Sequence, residues 1–153
     1  MMDDTQLLRY SRHLLLDALG PDAQERFAAA RALVVGVGGL GNPAAQFLAS
    51  AGVGRITLVD ADSVDLTNLQ RQILFSMDDV GAPKVEAAAR RLAAINPEPD
   101  YVGVARRVGP GELVALAADA DVVLDCTDNF ATRHAINRAC VDVRVPLVSG
   151  AAV

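Results

Sequence analysis

The segment Gly36-Val37-Gly38-Gly39-Leu40-Gly41 follows a short β-branched apolar run, Ala32 to Val37, and leads directly into a helix-forming run, Gly41 to Ala51, that closes near Gly52 and Gly54. A strand that ends in a glycine turn and opens a helix presents backbone N–H groups and a helix N-terminus to the same space, which suits an anion at close range. Asp60 ends the next strand, Arg55 to Asp60, 19 residues beyond Gly41. At that spacing a carboxylate meets ribose hydroxyls in dinucleotide-binding folds. The same glycines could serve only tight helix-on-strand packing, but strand, helix and carboxylate in their expected places favour an adenine nucleotide site. The loop and Asp60 alone suit NAD as well as ATP, so an NAD-dependent oxidoreductase is a rival reading.

The remaining chain repeats this alternation. Helix Lys84 to Ile95 stops at Asn96-Pro97-Glu98-Pro99, strand Tyr101 to Ala105 follows, then helix Gly111 to Ala118. Strand Asp121 to Asp125, helix Phe130 to Val141 and strand Pro146 to Ser149 complete it. Strands alternating with helices predict an α/β fold, a doubly wound, mainly parallel Rossmann-like sheet with helices on both faces. Two short helices, Asp4 to Asp17 and Pro21 to Ala30, are expected before it. With 153 residues, 52% of them hydrophobic, one domain is the default. Ending just after a strand, the chain is expected to be a truncated product whose last strand leaves an apolar edge uncovered.

Charge and cysteine usage narrow the function classes. A formal net charge of −5 argues against a nucleic-acid or anionic-membrane surface. The acidic start and the short run Leu14-Leu15-Leu16 fit neither a signal peptide nor a membrane span, and a cytoplasmic location is expected. Cys126 and Cys140, the only two cysteines, lack C-x-x-C spacing, which predicts packed thiols rather than a zinc site. His13 and His134 stand in no cluster at ligand spacing.

Three features have no use in a dehydrogenase: the second carboxylate Asp62, the polar segment Thr67-Asn68-Leu69-Gln70-Arg71-Gln72, and Lys84 opening a helix after Pro83. Together with Asp60, Asp125 and Asp128 they stand near the carboxyl ends of predicted strands, where a ligand sits in this fold. For a triphosphate the mixture has a purpose. Arg71 and Lys84 can neutralise phosphate charge while Asp128 holds a magnesium ion. Taken singly, Arg71 and Lys84 could be solvated surface charges, and Asp128 could cap the following helix.

Arg9-Tyr10-Ser11-Arg12, the Gly36 to Gly41 loop, Asp60-x-Asp62, Asn68-Leu69-Gln70-Arg71-Gln72, Gly81-x-Pro83-Lys84 and Asp125-Cys126-Thr127-Asp128-Asn129 together resemble the ThiF/MoeB/HesA group, relatives of ubiquitin-activating enzymes. The resemblance runs from about Leu8 to Val153. It implies an adenylyltransferase that uses ATP and magnesium to activate the C-terminal glycine carboxylate of a ubiquitin-fold sulfur-carrier protein. Carried over residue by residue, Gly36, Gly38, Gly39 and Gly41 form the nucleotide loop, with Gly39 nearest the phosphates. Asp60 meets the ribose with Asp62 nearby; Asn68, Arg71 and Lys84 meet the phosphates beside Thr67; Asp128 holds the magnesium ion with Asn129 next to it. Arg12 matches an arginine that relatives contribute from the neighbouring subunit, implying a homodimer. Its plain alternative is a surface arginine paired with Asp17 or solvent.

The resemblance also implies parts that this chain lacks. Relatives continue with paired C-x-x-C zinc motifs and carrier-docking strands, so zinc is expected in full-length relatives, with no ligands for it here. The chain is thus expected to be a single ATP-binding adenylation domain, residues 1–153, cut before the zinc and carrier-docking region. The stretch Val148-Ser149-Gly150-Ala151-Ala152 favours a carrier of molybdopterin synthesis over one of thiamine thiazole synthesis. A nucleotide-binding or dimerisation module that no longer catalyses is the reading from a different class.

Overall fold

The computed structural model describes residues 2–151. Five parallel strands form one sheet in the order β3-β2-β1-β4-β5. They are β1 Arg31–Val35, β2 Arg55–Val59, β3 Asp100–Val104, β4 Val122–Asp125 and β5 Leu147–Ser149. Helices α4 Gly41–Ala51 and α5 Lys84–Ile95 join β1 to β2 and β2 to β3, while α6 Pro110–Ala118 and α7 Phe130–Val143 join β3 to β4 and β4 to β5. The fold is therefore the doubly wound α/β sheet that the alternation predicts.

Strand alternation sends side chains to two cores. Ala32, Val34, Ile56 and Leu58 point to one face and pack with Ala45 and Ala49 of α4 and Val85, Ala88 and Leu92 of α5. Leu33, Val35, Val59 and Val123 point to the other, against Leu113 and Ala117 of α6 and Ile136, Ala139 and Cys140 of α7. A central strand covered on both faces needs apolar residues at successive positions, which is why β1 reads Ala-Leu-Val-Val after its first residue. Burial of each large aliphatic side chain stabilises the sheet by about 1.5–3 kcal/mol.

Order reverses between β1 and β4, the two strands whose chains leave to opposite sides of the sheet. The crevice outside their carboxyl ends is where doubly wound folds bind ligands. At the sheet edge β5 is short, and its Val148 is 59% exposed.

The N-terminal region differs from expectation in one respect. Instead of one helix across Asp4 to Asp17, the chain forms α1 Asp4–Arg9 and α2 Ser11–Leu14, separated at Tyr10, before α3 Gly20–Ala29. Tyr10 is 4% exposed. Its hydroxyl accepts from Asn96 Nδ2 at 2.8 Å and donates to Glu98 Oε2 at 3.1 Å, so a buried ring fixed at its tip sets the break. An N-terminal capping box at Asp3 and Gln6 starts α1.

Candidate functional site

The glycine loop leaves the carboxyl end of β1 at the centre of the sheet. Gly36 has φ +91°, and a Cβ there would lie 2.7 Å from the Cys126 carbonyl oxygen at the end of β4. A Cβ on Gly41 would lie 1.9 Å from the Gly36 carbonyl oxygen. Only glycine allows both the turn and the approach of loop to neighbouring strand. The N–H groups of Gly38, Gly39 and Leu40 donate to no acceptor among the described residues, so the loop presents a row of free donors at the start of α4.

Polar side chains hold this loop in shape. Asp60 Oδ2 accepts from Val37 N–H at 2.7 Å and its Oδ1 from Asp62 N–H at 2.9 Å. Asn42, wholly buried, donates to the Val37 carbonyl and accepts from Leu74 N–H, both at 2.8 Å. The loop is thereby tied to the connection that follows β2.

That connection, residues 60–83, closes at its neck. Val64 N–H donates to the Ala82 carbonyl, Gly81 N–H to the Val64 carbonyl and Lys84 N–H to the Asp62 carbonyl, at 2.8, 2.8 and 2.9 Å. The closure sets Lys84, the first residue of α5, beside Asp62. Lys84 is 6% exposed, and its Nζ has Asp62 Oδ2 as its ion-pair partner at 3.5 Å. A nearly buried ammonium with one long contact to an exposed carboxylate keeps donors for a further anion.

Within the connection, the turn Leu66–Asn68 is capped by Asp65, whose carboxylate accepts from Thr67 N–H at 2.8 Å and from the Thr67 hydroxyl at 2.6 Å. Asn68 Oδ1 accepts in return from Asp65 N–H at 3.0 Å. Asp65 is held below the usual carboxylate range first by the Thr67 hydroxyl, then by the Thr67 N–H, with the Lys84 charge adding to it. The turn aims Arg71 back over the glycine loop. A Cβ on Gly39 would meet Arg71 Cδ at 3.4 Å, and Arg71 Nη1 donates to the Thr67 carbonyl at 3.2 Å.

The loop after β4 forms the opposite wall. Asp125, 1% exposed, accepts from Thr127 N–H and its hydroxyl at 3.0 and 2.7 Å and from the Ser149 hydroxyl at 3.0 Å. Arg133 reaches back from α7, donating to Ser149 Oγ at 3.1 Å, to the Thr127 carbonyl at 2.7 Å and to the Gly150 carbonyl. Asn129, not Asp128, caps α7, accepting from Thr132 N–H at 2.9 Å. Asp128 is exposed and has no hydrogen bond or ion pair among the described residues, which removes capping as its role. Burial, and then the Asp125 charge, push the Cys126 thiol up to about 11, so it is a neutral packed thiol at pH 7.

The structure thus places the glycines, Asp60, Asp62, Thr67, Asn68, Arg71, Lys84, Asp128 and Asn129 in segments around the carboxyl ends of the strands. Lys84 is not a solvated charge. Thr67 directs its hydroxyl proton to Asp65. Arg12 stands apart: its neighbour His13 contacts Gln24, which donates to the Ala51 carbonyl at the far end of α4. That is one helix length, about 16 Å, from the glycine loop. Arg12 is exposed and pairs neither with Asp17 nor with any other described residue. Asn42, Arg133 and Ser149 were not legible as site residues, since nothing in their local spacing marks them.

Among the described residues no three His, Cys, Asp or Glu side chains gather as a metal cluster. No helix of the described residues is long and apolar enough to cross a membrane. Two clefts, of about 480 and 420 Å³, lie between α6 and α7 and beneath the N-terminal helices, away from the strand ends.

Known proteins share the family and the fold of this chain. Residues 10–153 match the ThiF family. The molybdopterin-synthase adenylyltransferase of Escherichia coli is 50% identical over 152 residues, covering 99% of this chain and 61% of its own length. The sulfur carrier protein ThiS adenylyltransferase of the same organism is 47% identical over 152 residues, with the same coverage. Among solved structures, the E. coli tRNA N6-threonylcarbamoyladenosine dehydratase TcdA in complex with ATP superposes with a TM-score of 0.90 at 35% identity, over 97% of this chain and 61% of that one. The chain therefore spans about three fifths of the length of these relatives, and over that span it belongs to the ThiF family.

Proposed function

We propose that this chain is the ATP-binding adenylation domain of an adenylyltransferase that activates the C-terminal glycine carboxylate of a ubiquitin-fold sulfur-carrier protein. One observation carries the reading. The free N–H groups of the glycine loop under Arg71, the buried Lys84, and Asp60 and Asp128 in the segments after β2 and β4 all belong to the strand ends of a fold that holds ATP in a relative at TM-score 0.90. The names of the relatives at 47 and 50% identity supply the reaction.

The residues present fit a nucleotide. The loop leaves no room for a Cβ at Gly36 or Gly41, its N–H groups are free, and Asp60 retains acceptor capacity after its two backbone bonds. The unpaired carboxylate of Asp128 would hold a magnesium ion, which would neutralise charge on the phosphates. ATP supplies the α-phosphorus: a carrier carboxylate oxygen bonds to it, the bond to the pyrophosphate oxygen breaks, and pyrophosphate leaves. The carboxylate is ionised at pH 7, so no protein base takes part. Arg71, Lys84 and the loop N–H groups stabilise charge on the phosphates, and Asp60 orients the ribose.

Arg12 cannot serve the site of its own chain, one helix length away, and we assign it to the site of a second copy in a homodimer. Arg12→Ala is expected to unfold like the wild type yet lose activity. Mixing it with Arg71→Ala should restore part of that activity, and heterodimers without restoration would overturn the assignment. Identities of 50 and 47% do not separate molybdopterin from thiamine routes. Val148 to Ala151 favour the former, while Ala152 lies outside the described residues.

Calorimetric titration with ATP and magnesium beside NAD tests the nucleotide, with saturable ATP binding and no NAD response expected. Carrier-dependent exchange of labelled pyrophosphate into ATP tests the reaction. ATP binding without exchange would leave a non-catalytic module, and NAD binding alone would replace the reading with the oxidoreductase.

A further inference from the structure

Gln72 is 3% exposed; its buried Oε1 has no hydrogen-bond partner, and its Nε2 makes no hydrogen bond to any described residue. A buried amide held with no protein partner destabilises the folded chain, and its free N–H donors remain available to a ligand. Among the described residues the other buried side-chain atom without a hydrogen bond, Arg55 Nε, still has Asp100 Oδ2 at 3.4 Å. Gln72 has no such neighbour.

The side chain is held in place by its backbone. Gln72 N–H donates to the Asn68 carbonyl at 2.9 Å, the Gln72 carbonyl accepts from Phe75 N–H at 3.1 Å, and the Leu74 N–H two residues on is bound by Asn42. From this anchor the carboxamide nitrogen lies 3.7 Å from where a Gly38 Cβ would stand, as Arg71 lies against Gly39. Two consecutive side chains therefore cover two consecutive glycines whose N–H groups are free. The two side-chain groups set against these glycines are a cation and an N–H donor, so the occupant they suit is an anion, and the amide nitrogen is the end of Gln72 that lies nearest Gly38.

We propose that Gln72 is a nucleotide-contacting residue whose Nε2 donates a hydrogen bond to an anionic phosphate oxygen held over Gly38 and Gly39. The inference rests on the nucleotide reading above and adds a neutral donor to its cations. A neutral donor discriminates differently from Arg71: it holds an oxygen by direction rather than by charge, and so sets where the phosphate chain lies along the loop.

The test compares wild type, Gln72→Met and Gln72→Glu in titrations with ATP and, separately, adenosine, alongside unfolding without nucleotide. Methionine keeps the volume and removes the unpaired polar atoms. Its expected signature is a split, with ATP bound at least threefold more weakly, adenosine unchanged, and an unfolding midpoint no lower than the wild type. Glutamate keeps the shape and turns a negative charge toward the phosphates, so ATP should weaken further than in Gln72→Met while adenosine holds. It carries the test alone should the methionine variant not fold. ATP affinity within threefold of wild type in both variants would overturn the proposal while leaving the nucleotide site intact. Equal weakening of ATP and adenosine with a lowered midpoint would return Gln72 to a packing role. Failure of the wild type to bind ATP would instead remove the nucleotide reading itself, and this proposal with it.

Discussion

The two poles of the sheet bury polar side chains in opposite ways. Where the strands begin, the buried amides of Asn96 and Gln24 find their partners within the fold. Asn96, wholly buried, donates to Tyr10 Oη and to the Ala49 carbonyl and accepts from Glu98 N–H, while Gln24 donates to the Ala51 carbonyl and meets His13. Where the strands end, a hydrogen-bonded frame of Asn42, Asp60 and Asp125 surrounds groups with few or no partners: the Gln72 carboxamide, the singly paired Lys84 and the unpaired Asp128. Buried polar groups with complete partners specify structure, and the incomplete set within such a frame marks where chemistry is to be done.

The contrast can be broken in several places. The largest effect is expected from Gly41→Ala, whose new Cβ would stand 1.9 Å from a backbone oxygen. A loss of more than about 3 kcal/mol of stability is expected, read by urea unfolding, with nucleotide binding lost as a consequence of the fold. Asp128→Ala should do the reverse. Stability should stay within about 0.5 kcal/mol, while magnesium-dependent adenylation falls about 100-fold or more. Unchanged turnover would mean that an unpaired carboxylate at this pole carries no function.

Asn96→Ala probes the other pole. It leaves the Ala49 carbonyl and the Tyr10 hydroxyl short of a donor, for an expected loss of about 2 kcal/mol, while ATP affinity stays within twofold of wild type. An equal fall in both would dissolve the distinction between the poles. The smallest effect concerns Cys126. Burial favours its neutral form, so alkylation should be slow at pH 8 and rise only as the pH approaches about 11. Fast labelling at pH 8 would show the β4 loop to be far more open than the Asp125 network implies.

The doubly wound sheet was legible because each β and α segment carries its own period, whereas the strand order β3-β2-β1-β4-β5 is visible only in the structure. The N-terminal region was less so. Leu7, Leu8, Leu14 and Leu15 suggest one apolar helix face, yet Leu8 and Leu15 are 78 and 74% exposed while Tyr10 is buried. The side chain that decides the break does so through Asn96 and Glu98, far along the chain. The site divides along the same line. Residues in contiguous motifs, the glycines, Asn68, Arg71, Lys84 and Asp128, stood out through spacing or through the family resemblance. Asn42 acts on Leu74, and Ser149 on Asp125, contacts that no local pattern announces. Gln72 stood in a motif, but its lack of partners is visible only in three dimensions.

Asn42 has a consequence for how the molecule breathes. By gripping Val37 on one side and Leu74 on the other, it fastens a stretch with little regular secondary structure to the central strand, and Val64, Leu74 and Phe75 lie buried behind that bond. The amide of Leu74 should exchange with deuterium on the timescale of global unfolding rather than of loop motion. Proteases should likewise find residues 60–83 closed to them, although the stretch is as long as many that are cut first. A segment that looks in outline like a flexible excursion would then open only when the whole sheet does.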